Sequence, residues 1–439
     1  MIHEALEKVV AGENLSRAEV EAAMEEIFSR RATEVQSFAF LAALHLKGMT
    51  TDEKDAFDAA AKRHPDEAGE SCTMGVELSA TGSQFLVITK LIVMQGQDLS
   101  RREAENAMED ILSGHAPAVE IAQFLTALRF KGETVEELVG FATAMRRHAT
   151  PIFATGRRAA DEVIVDTCGT GGDALGTFNV STAAAFVVAG AGVRVAKHGN
   201  RSISSRCGSA DVLEALGANI ELLPERVGQS IDEVGIGFLF APAIHTAMRH
   251  AMPVRRELKI RTVFNLLGPL TNPAGATAQV VGVYDAGLTE MVAQALGELG
   301  VRRAFVVHSA DGLDEISISG ETSIAELRGG NVRSYTVTPE DFGLRRSPLE
   351  AIRGGDAKEN AEIIHRLLGQ GTRGHEHGPH RDIVLANSAA ALVAAGRAAD
   401  FLDGVRLAAE SIDTGRARER LEAFVAFTQA EKGHGRTAT

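Results

Sequence analysis

The sequence predicts an α/β protein in which a small N-terminal helical domain, duplicated in this chain, precedes a large α/β domain with a mostly parallel central sheet covered by helices. Two observations predict this fold. A helical pattern occurs twice within residues 1–150, and from Asp161 onward short apolar runs alternate with helical patterns, as in parallel sheets with helical crossovers. With 439 residues, of which 45% are hydrophobic, the chain has enough apolar material for two or three domains.

The helical pattern is an internal repeat. Its copies contain Gly12 and Gly96 at equivalent positions, and the offset of 84 residues holds without gaps through His64 and His148. About half of the paired positions are identical. Each copy contains Leu-Ser-Arg followed by a glutamate three residues after the serine, which is typical of a capping box at the start of a helix.

These patterns predict the domain boundaries. Residues 1–64 form an extra copy of the helical unit, residues 65–83 form a polar linker with glycine and serine, and residues 84–153 form the N-terminal helical domain. Residues 154–439 form the α/β domain. The favoured interpretation of the extra copy is a tolerated duplication without a catalytic role.

The stretch Asp166 to Asp211 contains two successive strand–loop–helix patterns whose loops suit phosphate groups. A β-branched run enters the glycine-rich sequence GTGGD, and Ser181 and Thr182 then open an apolar helical segment. Residues 174–210 contain no Asp or Glu but four cations, although the whole chain has a formal net charge of −14. A basic segment in an acidic chain favours a phosphorylated substrate, whereas the plainer alternative is a glycine-rich turn with a solvated basic face.

Two common nucleotide-binding patterns are not satisfied. Gly169 to Ala174 matches GxGxxA, but the acidic residue expected about 20 positions later to bind a ribose hydroxyl is missing. The GxxxxGK[ST] loop is absent as well. The sequence therefore favours neither a dinucleotide site nor a nucleoside triphosphatase of that class.

Five motifs in order resemble those of the anthranilate phosphoribosyltransferases: GTGGD at Gly169, NVSTA at Asn179, KHGNR at Lys197, GPLTNPA at Gly268 and DGLDE at Asp311. The resemblance runs from about residue 84 to the C-terminus. It implies transfer of the phosphoribosyl group of 5-phosphoribosyl 1-pyrophosphate (PRPP) to the amine of anthranilate. The implied products are N-(5-phosphoribosyl)anthranilate and pyrophosphate, in the second step of tryptophan synthesis from chorismate.

The resemblance also implies a set of site residues. Anthranilate is assigned to Gly169, Asn200 and Arg255, and two Mg²⁺ ions per subunit are assigned to Ser181, Asp314 and Glu315. No residue is assigned as a general base, and His198 is a candidate for orienting anthranilate. PRPP is assigned to a larger set in the glycine-rich and basic loops: Gly169, Gly172, Asp173, Thr177, Asn179, Val180, Ser181, Thr182, Lys197, His198, Gly199, Asn200, Arg201, Ser202, Ile203, Ser204, Ser205 and Ser209.

The residue types suit this chemistry. Asp314 and Glu315 follow an apolar run that ends at His308, and hard carboxylate oxygens shared with substrate phosphates are what Mg²⁺ prefers. A guanidinium such as that of Arg255 suits bidentate binding of a carboxylate. Positioning and stabilisation of the departing pyrophosphate would supply most of the rate.

Two features stand apart from the motifs. Cys207 lies in RCGSAD, where a small residue such as serine is expected in this family, so the hydrogen bonding of that loop is in question. The segment GHEHGPH contains His375, His377 and His380, which could bind a transition metal. A polar insertion is favoured, because no acidic or cysteine cluster with ligand spacing accompanies it.

Two other functions are compatible with parts of the sequence. A pyrimidine nucleoside phosphorylase has a similar arrangement of domains, but it should not need Asp314 and Glu315, and a non-catalytic binding paralogue would not need the intact site. Three scattered cysteines and no apolar run near 20 residues predict a cytoplasmic protein without a membrane segment. The expected partners are the two small-molecule substrates and a second subunit, in a homodimer formed through the helical domain, and no nucleic acid.

Overall fold

The computed structural model describes residues 1–64, 84–153, 162–171, 175–202, 206–369 and 378–430. The chain divides into two compact units. The first joins Met1–His148 to Ala247–Leu267, and the second joins Ala149–Thr246 to Gly268–Thr439. The linker predicted over residues 65–83 lies outside the described residues.

Both copies of the repeat are helical, which confirms the predicted duplication of the helical domain. The segment that returns to the first unit from later in the chain contributes α13 (Met252–Leu258). Each copy supplies four helices: α1 (Ile2–Val10), α2 (Arg17–Phe28), α3 (Glu34–Lys47) and α4 (Thr51–Arg63) in the first, and α5 (Gln84–Met94), α6 (Arg101–Leu112), α7 (Ala118–Lys131) and α8 (Val135–His148) in the second.

The predicted capping boxes are present in both copies. The hydroxyl of Ser16 accepts a hydrogen bond from the backbone N–H of Glu19, whose carboxylate accepts one from the backbone N–H of Ser16. Ser100 and Glu103 repeat the arrangement at the start of α6. Local sequence alone therefore fixes where these helices begin.

A buried glutamate also occurs in each copy. Glu53 accepts a hydrogen bond from the backbone N–H of Leu15, in the loop before α2, and pairs with Lys47 at 2.8 Å. Glu137 makes the equivalent contacts, pairing with Lys131 at 3.0 Å. The two copies thus share tertiary contacts as well as secondary structure.

The two copies pack through equivalent helices. α3 of the first copy lies directly against α7 of the second, and α13 contacts both of them. All residues of α7 from Glu120 to Leu128 are buried, because α3, α5 and α13 surround it. The first copy is therefore an integral part of this unit.

One equivalent position shows how the copies differ. Gly114 and Arg30 both have positive φ angles, 75° and 54°. A Cβ atom on Gly114 would lie 2.7 Å from the His250 ring, so the second copy requires glycine there. The first copy carries an arginine at this position, although left-handed backbone is unfavourable for arginine.

The second unit contains a seven-stranded sheet in the order β3-β2-β1-β4-β5-β6-β7. β1 to β5 are parallel, and β6 and β7 complete the sheet as antiparallel strands, which confirms the predicted mostly parallel sheet. The strands are β1 (Ile164–Gly169), β2 (Arg194–Gly199), β3 (Ile236–Phe240), β4 (Ala278–Gly282), β5 (Arg303–Ser309), β6 (Thr322–Arg328) and β7 (Asn331–Val337).

Helices cover the sheet, and α9 (Val180–Gly190), which follows β1, lies in the main core with almost every residue buried. None of the helices in the described ranges is both long and apolar enough to cross a membrane. The remaining helices are α10 (Ser209–Ala215), α11 (Pro224–Glu233), α12 (Ala241–Ile244), α14 (Phe264–Leu270), α15 (Thr289–Glu298), α16 (Ala357–Leu367), α17 (Pro379–Ala394), α18 (Phe401–Asp413) and α19 (Arg416–Gln429).

Candidate active site

The loop after β1 lies against the acidic loop after β5. The backbone N–H of Gly171 donates a hydrogen bond to Oδ2 of Asp314 at 2.9 Å. A Cβ atom on Gly169 would lie 2.6 Å from the same oxygen, and one on Gly282 would overlap the Asp314 backbone carbonyl. Glycine at both positions therefore lets the acidic loop approach the ends of β1 and β4.

Replacing Gly169 with alanine should displace the Asp314 carboxylate, since the added methyl group would take its place. We expect the variant to fold but to lose about tenfold or more in kcat, because small displacements of reacting groups are costly in catalysis. Steady-state kinetics of the phosphoribosyl transfer that the motifs predict measure this effect. Gly176→Ala is the control, because the added Cβ would have no atom within 4 Å. Its positive φ of 68° means that this substitution costs stability only through backbone strain. Equal losses in both variants would contradict the prediction.

The second acid of the pair contacts the start of α9. The backbone N–H of Ser181 donates to Oε1 of Glu315 at 3.1 Å, at the end of the helix that carries a partial positive charge. The structure therefore brings together two of the residues predicted to bind metal, Ser181 and Glu315. The third, Asp314, contacts the neighbouring loop after β1. No group of three or more His, Cys, Asp or Glu side chains with a metal-binding arrangement occurs in the described part of the chain.

Lys197 is the buried cation of this site. Its Nζ donates to the carbonyl of Thr167 at 2.5 Å and to Oγ of Ser181 at 3.2 Å. Burial lowers the pKa of Lys197, whereas the nearby carboxylates of Asp166, Glu315 and others oppose that shift. The side chain thus joins β2 to β1 and α9.

A buried carboxylate supports the loops from beneath. Asp166 is fully buried and accepts hydrogen bonds from the backbone N–H of His198 at 3.1 Å and from Nδ2 of Asn272 at 2.8 Å. Burial raises its pKa, and the neighbouring His198 and Asn272 oppose this. The sequence-based site did not include Asp166 or Asn272, although Asp166 opens the stretch Asp166 to Asp211 and Asn272 lies in the motif GPLTNPA.

Two histidine rings lie beside this network. Nδ1 of His198 donates to the carbonyl of Gly268 at 3.0 Å, and its ring lies 5.1 Å from that of His245. The Nε2 atoms of both rings are buried without a hydrogen-bond partner among the described residues. Burial lowers the pKa of His198, and burial together with His198 lowers that of His245 to about 3.

This buried histidine makes stability depend on pH. Because the His245 pKa falls from 6.5 to about 3 on folding, the unfolded chain takes up a proton below pH 6.5 that the folded chain does not. Stability should therefore fall as the pH is lowered from about 6.5 towards 3. His245→Gln should weaken this dependence, as measured by urea unfolding at pH 7 and pH 5. The same change at exposed His115 should leave the pH dependence of stability unaltered. If wild type and both variants lose the same stability between pH 7 and pH 5, the prediction is wrong.

The cations of the basic loop after β2 are partly paired with nearby carboxylates. The Arg201 guanidinium pairs with Glu214 and Asp211, which lie just beyond the segment that lacks acids. Asp211 also accepts from the backbone N–H groups of Ser202 at 3.0 Å and Gly208 at 2.8 Å. Local carboxylates thus hold this loop in the described structure.

The loop before α9 is tied to Cys207. Nδ2 of Asn179 donates to the Cys207 carbonyl at 3.1 Å, and Oδ1 of Asn179 accepts from Asn360 at 3.0 Å. The Cys207 side chain is buried, which raises the pKa of its thiol to about 11. The loop is therefore bonded through the Cys207 backbone, with the thiol in its neutral form.

The described members of the predicted PRPP set lie on or beside β1, β2, α9 and the start of α10 in the second unit. Gly172, Asp173, Ile203, Ser204 and Ser205 lie outside the described residues. The placed residues are Gly169, Thr177, Asn179, Val180, Ser181, Thr182, Lys197, His198, Gly199, Asn200, Arg201, Ser202 and Ser209.

Arg255 belongs to the first unit, on α13. Its guanidinium lies over the Phe264 ring at 5.2 Å, and one nitrogen lies 3.8 Å from the Met252 sulfur. Burial lowers its pKa to about 10. Within the described ranges it has no carboxylate partner. Such a guanidinium is suited to an anionic ligand.

The histidine-containing segment is only partly described. His375 and His377 lie outside the described residues. The His380 ring packs edge-on against Phe178, with centroids 5.1 Å apart, and its Nε2 donates to the Arg353 carbonyl at 3.4 Å. His380 thus makes a packing contact at the start of α17.

Comparison with known proteins defines the class. The glycosyl transferase family, a/b domain, matches residues 161–418, and the helical bundle domain of the same family matches residues 3–64 and again residues 88–149. The fold and the site thus define a glycosyltransferase with a repeated helical domain.

Individual relatives define the family. Anthranilate phosphoribosyltransferase from Symbiobacterium thermophilum is 56% identical over 336 residues, which cover 76% of this chain and 96% of that protein. The chain belongs to the anthranilate phosphoribosyltransferase family, as its motifs predicted. About a quarter of the chain has no counterpart in that relative, which is nearly fully matched.

Solved structures agree with this assignment. The anthranilate phosphoribosyltransferase of Thermus thermophilus superposes with a TM-score of 0.72 and 46% identity, covering 78% of this chain and 99% of that chain. The Saccharomyces cerevisiae enzyme in complex with PRPP and Mg superposes with a TM-score of 0.71 and 29% identity, covering 80% of this chain and 99% of that chain. The same yeast enzyme in complex with 4-fluoroanthranilate superposes with a TM-score of 0.70 and 29% identity, covering 79% of this chain and 98% of that chain.

Proposed function

We propose that this chain transfers the phosphoribosyl group of PRPP to the amine of anthranilate at the loops that follow β1, β2 and β5. The observation that carries the proposal is the joint position of Asp314, Glu315 and Lys197 around the start of α9. One carboxylate and one buried ammonium meet at a helix N-terminus, and the adjacent carboxylate contacts the loop after β1, which suits binding of a pyrophosphate with its metal.

The donor set supports Mg²⁺. Ser181 offers a hydroxyl, and Asp314 and Glu315 offer carboxylates, all of them the hard oxygen ligands that Mg²⁺ binds together with substrate phosphates. We assign two ions per subunit to these three residues. When bound, the metal neutralises the charge that develops on the departing pyrophosphate.

The protein groups around them bind and orient PRPP. Lys197 brings a positive charge to Ser181, and the backbone N–H groups at the start of α9 add their dipoles. The predicted PRPP contacts of the glycine-rich and basic loops complete the binding site. Because the leaving group is stabilised by fixed charges, the reaction requires little reorganisation of the protein.

Anthranilate is assigned to Arg255, Asn200 and Gly169. The guanidinium of Arg255 suits the carboxylate of anthranilate. This assignment is supported because Arg255 has no carboxylate partner among the described residues. The aromatic amine attacks the ribose carbon as the bond to pyrophosphate breaks, so the rate depends on positioning and no general base is assigned. His198, whose Nε2 has no hydrogen-bond partner among the described residues, is retained as a group that orients anthranilate.

A homodimer through the helical domain and a cytoplasmic location remain predictions. An apolar stripe on α5 supports the dimer, since Phe85, Ile88 and Leu91 are 55%, 54% and 40% exposed. The equivalents of Ile88 and Leu91 on α1 are Glu4 and Glu7, so the fold of the helical unit does not require this stripe. A stripe of this kind suits a protein contact.

Ile88→Glu should therefore halve the molar mass of the full-length protein in light scattering, because a charge in an apolar interface is costly. Glu4→Gln, at the equivalent position of the first copy, is the control and should leave the mass unchanged. A monomeric wild-type protein would contradict the dimer.

The decisive test of the function is turnover by the full-length protein. Loss of anthranilate fluorescence should require both PRPP and Mg²⁺, and chelation should abolish it. Nucleosides with inorganic phosphate serve as the alternative substrates. Phosphorolysis without transfer to anthranilate would replace the proposed function, whereas folded protein inactive in both assays would favour a binding paralogue.

A further inference from the structure

The two helical copies form an internal pair. α3 and α7 are equivalent helices of the two copies, and they pack directly on each other. α13 lies against both members of the pair. This short helix is therefore supported from two sides, and one of the supports is the additional copy.

The first copy also makes a polar contact that the second cannot make. Thr33, the N-cap of α3, donates a hydrogen bond from its hydroxyl to Oε2 of Glu257 on α13 at 2.6 Å. The equivalent N-cap of α7 is Pro117, which has no side-chain donor. The contact is thus specific to the extra copy.

α13 needs such support. It spans only seven residues, and it ends at Lys259, whose φ of 53° is left-handed and unfavourable for a residue other than glycine. Its Arg255 lies two positions before Glu257 on the same helix. A small rotation of the helix would therefore move the guanidinium together with the Glu257 carboxylate.

We propose that the first helical copy is a positioning element for anthranilate binding. It fixes α13, and with it Arg255, through the packing of α3 and the hydrogen bond from Thr33 to Glu257. The inference rests on the proposed role of Arg255. It assigns a function to the additional copy of the helical unit, residues 1–64.

The test is Thr33→Asp in the full-length protein. Aspartate keeps the N-cap of α3 but places a carboxylate against Glu257, so α13 is pushed away while the helix start is preserved. We expect KM for anthranilate to rise about three- to tenfold, with kcat and KM for PRPP within about twofold of wild type. Half-molar salt should reduce the effect, because it screens the repulsion.

Matched variants separate positioning from general damage. Thr50→Asp makes the same change at the N-cap of α4 and should leave KM for anthranilate unchanged, as should Thr33→Ser, which keeps the donor. Adding Glu257→Gln to Thr33→Asp should restore much of the affinity. Equal effects of Thr33→Asp and Thr50→Asp, or no effect of Thr33→Asp on KM for anthranilate, would overturn the inference.

The proposed function is tested separately by Arg255→Lys and by the wild-type protein. If wild type turns over anthranilate and Arg255→Lys raises its KM while Thr33→Asp does not, the function stands and the positioning role fails. If wild type has no activity with anthranilate, or Arg255→Lys leaves its KM unchanged, the premise itself fails. Unfolding midpoints of the two aspartate variants should agree with each other, which excludes loss of folded protein as the cause.

Discussion

Replacing Lys197 with methionine is expected to lower kcat/KM for PRPP by about 10²- to 10³-fold, the usual effect of removing one fixed charge that stabilises a developing negative charge. The side chain is 3% exposed, and its ammonium contacts Ser181 directly. Methionine fills a similar volume without the charge. The loss should appear mainly in kcat if the ammonium acts on the departing pyrophosphate, and mainly in KM if it only binds the ground state.

Lys358→Met is the control for this variant, because it removes an exposed lysine from α16. Its kinetics should equal those of wild type. Thermal unfolding of Lys197→Met should remain cooperative but move to lower temperature, because the buried Asp166 carboxylate loses a compensating charge. A folded Lys197→Met protein with activity within about threefold of wild type would show that Lys197 has only a structural role.

Glu315→Gln is expected to raise the Mg²⁺ concentration needed for half-maximal activity about tenfold or more, and to lower the rate at saturating Mg²⁺ about 10²-fold. The change keeps the side-chain oxygen that accepts from the Ser181 N–H, so the loop should keep its position. Only the negative charge is lost. Rates measured over a Mg²⁺ titration at saturating PRPP separate the two effects.

Asp311→Asn provides the matched control, since it neutralises an acid of the same DGLDE segment. The Asp311 carboxylate accepts hydrogen bonds from the hydroxyls of Ser309, Ser317 and Ser319. Burial would raise the pKa of Asp311, but these hydrogen bonds together lower it. Its loss should therefore reduce stability and leave the Mg²⁺ requirement unchanged. If Glu315→Gln and Asp311→Asn shift the Mg²⁺ dependence equally, Glu315 does not bind the metal.

Features set by neighbouring residues were predictable from the sequence. The capping boxes at Ser16 and Ser100 depend on a glutamate three residues away, and the alternation of strand and helix patterns gave the mostly parallel sheet. Because parallel strands end at one edge of their sheet, the same alternation accounts for the loops after β1, β2 and β5 lying at one edge.

Contacts between distant residues were not predictable in this way. Asp166 and Asn272 are 106 positions apart, so neither reveals the other as its partner. The absence of acids in residues 174–210 suggested free cations, yet Arg201 pairs with Glu214 just beyond that range. The packing of α3 on α7 likewise depends on the surfaces of folded helices, which a repeat in the sequence does not specify.

The pairing of two similar helical copies has a consequence for folding. Segments that are about half identical and lie in one chain can exchange partners as they fold, a common cause of misassembly in repeat proteins. Differences between the copies oppose this exchange. Lys90, Glu120 and Gln123 form a buried polar cluster in the second copy, whereas Leu6, Gln36 and Ala39 take these places in the first. A chain with swapped helices would bury an unpaired charge, which is costly. These residues therefore favour packing of each helix within its own copy.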